Sequence, residues 1–142
     1  MHTRTDIHSL FHIDLDWWQQ RGRSLRRFLA SILDEDEADL PESAPLDYID
    51  PETAEVYQLD PTWVRVLLER AHRPDYISTT TPLTNAVLRA LIENVNRPMS
   101  AVELHRRISR GSPETVLRVL ATARREYGIV PAGPDAPGPS GR

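Results

Sequence analysis

Ser100-Ala-Val-Glu103 and, eight residues on, Gly111-Ser-Pro-Glu-Thr-Val-Leu-Arg118 decide the fold of this chain. Each opens with a helix start signal. Ser100 followed by Glu103 makes a capping box, in which two otherwise unpaired backbone N–H groups are satisfied reciprocally. Ser112-Pro113 sets a hydroxyl cap before a proline at the first helical position, where a missing N–H does no harm. Gly111 punctuates the turn between them. Leu104 and Ile108 face inward from the first helix. Val116, Leu117, Val119, Leu120 and Ala123 face inward from the second, which Gly128 ends. Two helices so closely joined predict a helix-turn-helix, whose second helix can enter the DNA major groove.

Working outward, Thr81-Pro82 repeats the cap-plus-proline start. Leu83, Val87, Leu88, Leu91, Ile92 and Val95 then recur at helical spacing up to Asn96-Arg97-Pro98. Ile129-Val130 follows as a short strand. Residues 81–130 thus form one tri-helical unit, and the Pro/Gly-rich residues 131–142 are expected to be disordered.

Upstream, Phe11-His-Ile-Asp-Leu-Asp16 alternates apolar and polar residues, as a short strand or extended lead-in does. A helix is expected over 17–33 with Asp16 as cap, and Gly22 is the place where it would split. Leu25, Phe28, Leu29 and Ile32 share one face, a candidate dimer surface, and Leu33 extends it. Residues 34–46 read as a solvated acidic linker. Tyr48-Ile-Asp50 and Glu55–Leu59 flank a turn and predict a hairpin that must lean on helices. Asp60-Pro61 starts a further helix to about His72, with Trp63, Val64, Leu67, Leu68 and Ala71 as its packing face. The organisation is an N-terminal helical segment (1–33), the linker (34–46), hairpin plus helix (47–80), the helix-turn-helix (81–130) and the tail (131–142). The fold class is mainly α with a small β-hairpin.

Composition narrows the function. The 142 residues contain no cysteine, which excludes disulfides and thiolate metal sites. No apolar run reaches the ~20 residues that span a bilayer, and a cytoplasmic protein without membrane contact is expected. All 17 basic residues are arginine, a bias that follows most simply from genome composition and also suits phosphate recognition. The net charge of −4 is segregated: residues 34–60 carry 11 acidic and no basic side chains, whereas residues 82–130 carry eight arginines against four glutamates. The candidate DNA-reading unit is basic within an acidic chain.

Residues 82–130 resemble the winged helix-turn-helix domains of bacterial regulators. The resemblance rests on Leu83-x-x-x-Val-Leu-x-x-Leu-Ile92, Ser100-Ala-Val-Glu-Leu-His-Arg-Arg-Ile108, Ser112-Pro-Glu-Thr-Val-Leu-Arg-Val-Leu120 and the close Glu126-Tyr-Gly-Ile-Val130. It implies a DNA-binding regulator, acting as a dimer on double-stranded DNA. A wing needs two strands, and only one follows the third helix. The wing is therefore expected to be incomplete, or completed from elsewhere, such as Tyr76-Ile-Ser-Thr79.

By helical phase, Ser112, Glu114, Thr115, Arg118, Thr122 and Arg125 point outward from the third helix. Arg118 suits a guanine edge and Glu114 a cytosine amine. Arg106, Arg107 and Arg110 suit phosphates, as does the capped helix start at Ser112. The competing reading is a protein-interaction module whose polar helix face reads nothing. A combined reading has the acidic segment fold over the basic unit. His8 and His12, four apart beside Asp14 and Asp16, would share a face only on a helix, and the alternation around Ile13 opposes one. Adjacent Trp17 and Trp18 cannot both face one core: either one contacts a partner, or both are partly buried between the N-terminal helix and the hairpin. No catalytic motif and no cofactor site is present in the sequence pattern, so no enzyme and no cofactor are expected.

Overall fold

The computed structural model describes residues 5–22, 24–40 and 44–133. Along the chain run β1 (Leu10–Ile13), α1 (Leu15–Gln20), α2 (Leu25–Ile32), β2 (Leu46–Ile49), β3 (Val56–Leu59), α3 (Pro61–Glu69), α4 (Leu83–Glu93), β4 (Met99–Ser100), α5 (Ala101–Ile108), α6 (Pro113–Tyr127) and β5 (Ile129–Pro131). The architecture is mixed α/β. Helices dominate as expected, but the described residues form two antiparallel sheets rather than one hairpin. Pro41 to Ser43 of the expected linker and the tail from Pro134 onward lie outside the described residues.

The core forms around α4. Its Ala86, Val87, Leu88, Ala90, Leu91 and Ile92 are all buried, so the helix is covered on most of its circumference. α5 adds Ala101, Leu104 and Ile108, and α6 adds Val116, Leu120 and Ala123. The capping box at Ser100–Glu103 forms with both hydrogen bonds, at 3.0 and 3.1 Å. Ser112 caps α6 through the Thr115 amide, and Gly128 closes it in the left-handed region. At Thr81-Pro82 the expected side-chain cap is missing. The Thr81 hydroxyl instead accepts from the Ser78 amide, closing the preceding turn.

The second sheet has the order β4-β1-β5. β1 is its central strand, with Leu10 opposite Ser100 on one side and His12 opposite Val130 on the other. Phe11 and Ile13 drop into the core and His12 stands on the opposite face, the alternation read in the sequence. The strand beside β5 therefore comes from the N-terminal segment, not from Tyr76–Thr79. Tyr76 is held elsewhere: its hydroxyl donates to the Arg89 carbonyl and its own carbonyl accepts from Arg89, both at 2.7 Å.

Asn96 joins β1 to α4. It sits at φ +57°, where asparagine is one of the few tolerated side chains. Its buried amide accepts from Ile13 N at 2.8 Å and donates to Ile13 O at 2.9 Å, as a neighbouring strand would. The expected helix over 17–33 is two helices. Gly22 breaks it at φ +63°, Asp14 rather than Asp16 caps α1, and Ser24 caps α2. Leu29, Ile32 and Leu33 are buried in the intramolecular core, so the proposed dimer stripe is largely a core face.

Trp18 is buried and donates its indole N–H to the Tyr127 carbonyl at 2.8 Å. Trp17 is half-buried and lies on Gly128. The pair thus packs on the end of α6. The β2–β3 hairpin has the expected turn, organised by buried Asp50, whose carboxylate accepts from the amides of Glu52 and Thr53. Asp50 also pairs with Arg97 at 3.0 Å, tying the hairpin to the turn after α4. α3 begins at Asp60-Pro61 and ends at Glu69, one turn early. It packs through Trp63 and Val66, while Leu68, expected inside, is 63% exposed.

Candidate nucleic-acid interface

α6 is held by one face. Val116, Leu120 and Ala123 lie inward, so helical phase turns Glu114, Arg118, Thr122 and Arg125 to solvent, where all four are exposed. Arg106, near the C-terminus of α5, is exposed as well. Among the described residues, Arg106, Arg118 and Arg125 form no ion pair. Arg118 makes a single 3.2 Å hydrogen bond to the Thr115 hydroxyl, and its backbone carbonyl accepts from Thr122 at 3.4 Å. Arg124, which helical phase did not single out, is exposed next to Arg125.

The turn before α6 is fixed from both sides. His105 Nε2 lies 2.9 Å from the Gly111 carbonyl, so that nitrogen carries the proton. Ser112 Oγ accepts from the Thr115 amide and lies 3.0 Å from the Thr115 hydroxyl. Ser112 and Thr115 thus serve the helix start, and Pro113 brings no N–H to it.

Two of the arginines assigned to phosphates are engaged inside the chain. Arg107 makes a two-point ion pair with Glu93 of α4, Nε to Oε1 at 2.6 Å and Nη2 to Oε2 at 3.0 Å. That pairing raises the pKa of Arg107 further above its ordinary range. Arg110 donates to the carbonyls of Thr79, at 2.6 Å, and Thr81. Both fasten α5 and its following turn to the rest of the fold. Sequence alone could not separate them from Arg106, because all three lie within five residues and their partners lie 14 to 31 residues away.

The acidic segment is fastened elsewhere. Asp36 caps a short 3-10 turn over Glu37–Asp39. Asp34 pairs with Arg70 at 3.0 Å, Glu35 takes Arg65 in a two-point pair, and Glu37 faces Arg27 at 3.5 Å. The Ser24 hydroxyl also donates to Glu37. These contacts go to α2 and α3, not to α5 or α6. Among the described residues no group of three or more His, Asp or Glu is placed to hold a metal ion. His12 lies on a strand rather than a helix, and burial lowers its pKa against an opposing pull from Asp14. No helix is long and apolar enough to cross a membrane among the described residues. Compared with models of protein families, with curated proteins and with solved structures, the chain matches none.

Proposed function

We propose that the chain binds double-stranded DNA, with α6 as the helix that enters the major groove. In this reading α4, α5 and α6 with the β4-β1-β5 sheet form a winged helix. Its second wing strand is β1, running antiparallel to β5. The observation that carries the reading is the solvent face of α6. It presents Arg118 and Arg125 without an ion pair among the described residues, with Arg106 exposed at the end of α5. An arginine fork without a carboxylate partner suits a guanine edge or a phosphate. Arg118, Glu114, Thr122 and Arg125 are then the base-facing set and Arg106 a phosphate contact. Arg107, Arg110, Ser112 and Thr115 position the helix.

The test is selection from pooled random duplexes at two salt concentrations. Sequence enrichment is expected, with a log–log salt slope of about −0.9 per phosphate contacted. No retention even at about 50 mM salt overturns the reading. Arg118→Ala is expected to cost about 1–3 kcal/mol in affinity and to relax preference at one base.

A second reading is a protein-interaction module. It is favoured by the cross-strand pair Ile49 and Val56 on the outer face of the hairpin, which are 63% and 60% exposed. Ile49→Lys with Val56→Thr would then abolish capture of the partner while leaving duplex binding unchanged.

A further inference from the structure

Two surface patches of opposite charge each surround an apolar centre. The first lies on the outer face of the hairpin, where the cross-strand pair Ile49 and Val56 is 63% and 60% exposed. Asp47 stands two residues before Ile49, so strand alternation sets it on the same face. Glu52 follows in the turn. Both carboxylates are exposed, and neither forms an ion pair among the described residues.

The second patch lies on α6. Leu117, half-buried, and Ala121, exposed, stand one turn apart on the helix. With exposed Arg124 and Pro131 they rim a notch of about 180 Å³, whose floor is the buried Phe11, Leu120 and Ile129. That is below the roughly 300–1,000 Å³ of small-molecule sites, so the notch suits a protruding side chain rather than a metabolite. By helical phase Arg118 and Arg125 flank Leu117 and Ala121 on one side and Arg124 on the other. These three arginines form no ion pair among the described residues, and they outweigh Glu114, the acidic residue of this face. The patches are complementary: carboxylates around aliphatic side chains on one, arginines around an apolar notch on the other. Because both are exposed, they do not cover each other within one chain. Contact of either patch with its own copy would set carboxylate against carboxylate or arginine against arginine. Each patch therefore finds its complement on the other patch of a second molecule.

We propose that the hairpin of one molecule docks on α6 of a second copy of this chain. Ile49 and Val56 lie on Leu117 and Ala121, and Asp47 and Glu52 meet the arginines beside them. The contact is small, of the weak and reversible class that buries less than about 1,200 Å². The proposal does not depend on DNA binding, and its test contains no DNA.

The test is the light-scattering mass of the full chain from about 10 μM to about 1 mM, at about 50 mM and about 500 mM salt. The average mass is expected to rise with concentration at low salt. At high salt it is expected to fall back toward the monomer, because exposed charge pairs are screened. Ile49→Thr with Val56→Thr removes the apolar centre of the hairpin patch. Arg118→Glu with Arg125→Glu reverses the charge of the α6 patch. All four side chains are exposed, and both variants are expected to keep the circular dichroism of the parent. Each variant alone is expected to stay monomeric. An equimolar mixture of the two is expected to associate, since each supplies the patch that the other lacks. A mass that stays monomeric at about 1 mM and low salt overturns the proposal. So does association that salt leaves unchanged, a variant that still associates alone, or a mixture that stays monomeric.

Discussion

Gly128 takes φ +61°, and a Cβ there would stand 2.7 Å from Trp17 Cε3. One residue thus ends α6 and makes room for an indole from the other end of the chain. Gly22 has a similar φ of +63° but nothing within 4 Å of its Cβ position. Gly22→Ala is expected to cost about 1 kcal/mol, from backbone conformation alone. Gly128→Ala is expected to cost about 2–4 kcal/mol, because overpacking is added. Urea denaturation of both variants measures the difference. Asn96→Ala leaves the buried Ile13 N–H and C=O without partners and is expected to cost about 2–4 kcal/mol by the same assay. His12 gives a pH dependence. Burial lowers its pKa from the ordinary 6.5, so the folded chain binds the proton less well than the unfolded chain. Its contribution is fully present above pH 6.5 and is lost as pH falls from there through the lowered folded value. His12→Gln is expected to flatten that part of the stability curve, and urea midpoints at several pH values check it. Gly128 and Ser112 were legible as caps from local pattern. Asn96 was not, because its partner on β1 is 83 residues away and a helix-ending asparagine looks the same with or without one.

At the scale of elements, the helices with complete local signals formed where the pattern put them. α5 and α6 carry their own caps, and their ends need nothing distant. α3 shows the limit of periodicity. Val66 is buried and Leu68 exposed, since the hairpin and α2 decide which face is covered. β1 is the element that reading along the chain could not place. Four residues of alternating pattern specify a strand but not its neighbours, and β4 is too short to announce itself. β1 is fixed by long-range hydrogen bonds of its own amides: Ile13 N to the Asn96 side-chain oxygen and Asp14 N to the Gly128 carbonyl, both at 2.8 Å. The amides of Ile13 and Asp14 are therefore expected to exchange with solvent only on global unfolding. The hairpin amides should exchange through local opening at lower free energy. Native-state hydrogen exchange distinguishes the two; fast exchange at Ile13 would count against β1 as an integral strand.

At the scale of the whole molecule, one buried cluster runs from Phe11 to Ile129 and includes Leu29, Leu59 and Trp63. A single cooperative transition is expected, with tryptophan emission and circular dichroism coincident. The charge segregation read from composition has a structural counterpart. The acidic segment is held by Arg65, Arg70 and Arg27, well away in the contact pattern from Arg118 and Arg125. Deleting residues 34–45 is therefore expected to lower stability without raising duplex affinity at low salt. A gain in affinity would support the acidic segment as a competitor of DNA. Such exposed pairs are worth only about 0–1 kcal/mol each, so they set where the segment lies more than how stable the fold is.

The sequence by itself determined the helices of the C-terminal unit, the caps of α5 and α6, the hairpin and the outward face of α6. Those depend on hydrophobic period and on side chains within four residues of one another. Tertiary structure alone decided that β1 lies between β4 and β5, that Asn96 clamps it, and that Trp17 rests on Gly128. It also decided which of the neighbouring arginines face solvent and which tie the fold together. Each of those outcomes depends on a partner far along the chain, and local pattern carries no record of which distant group will close the contact.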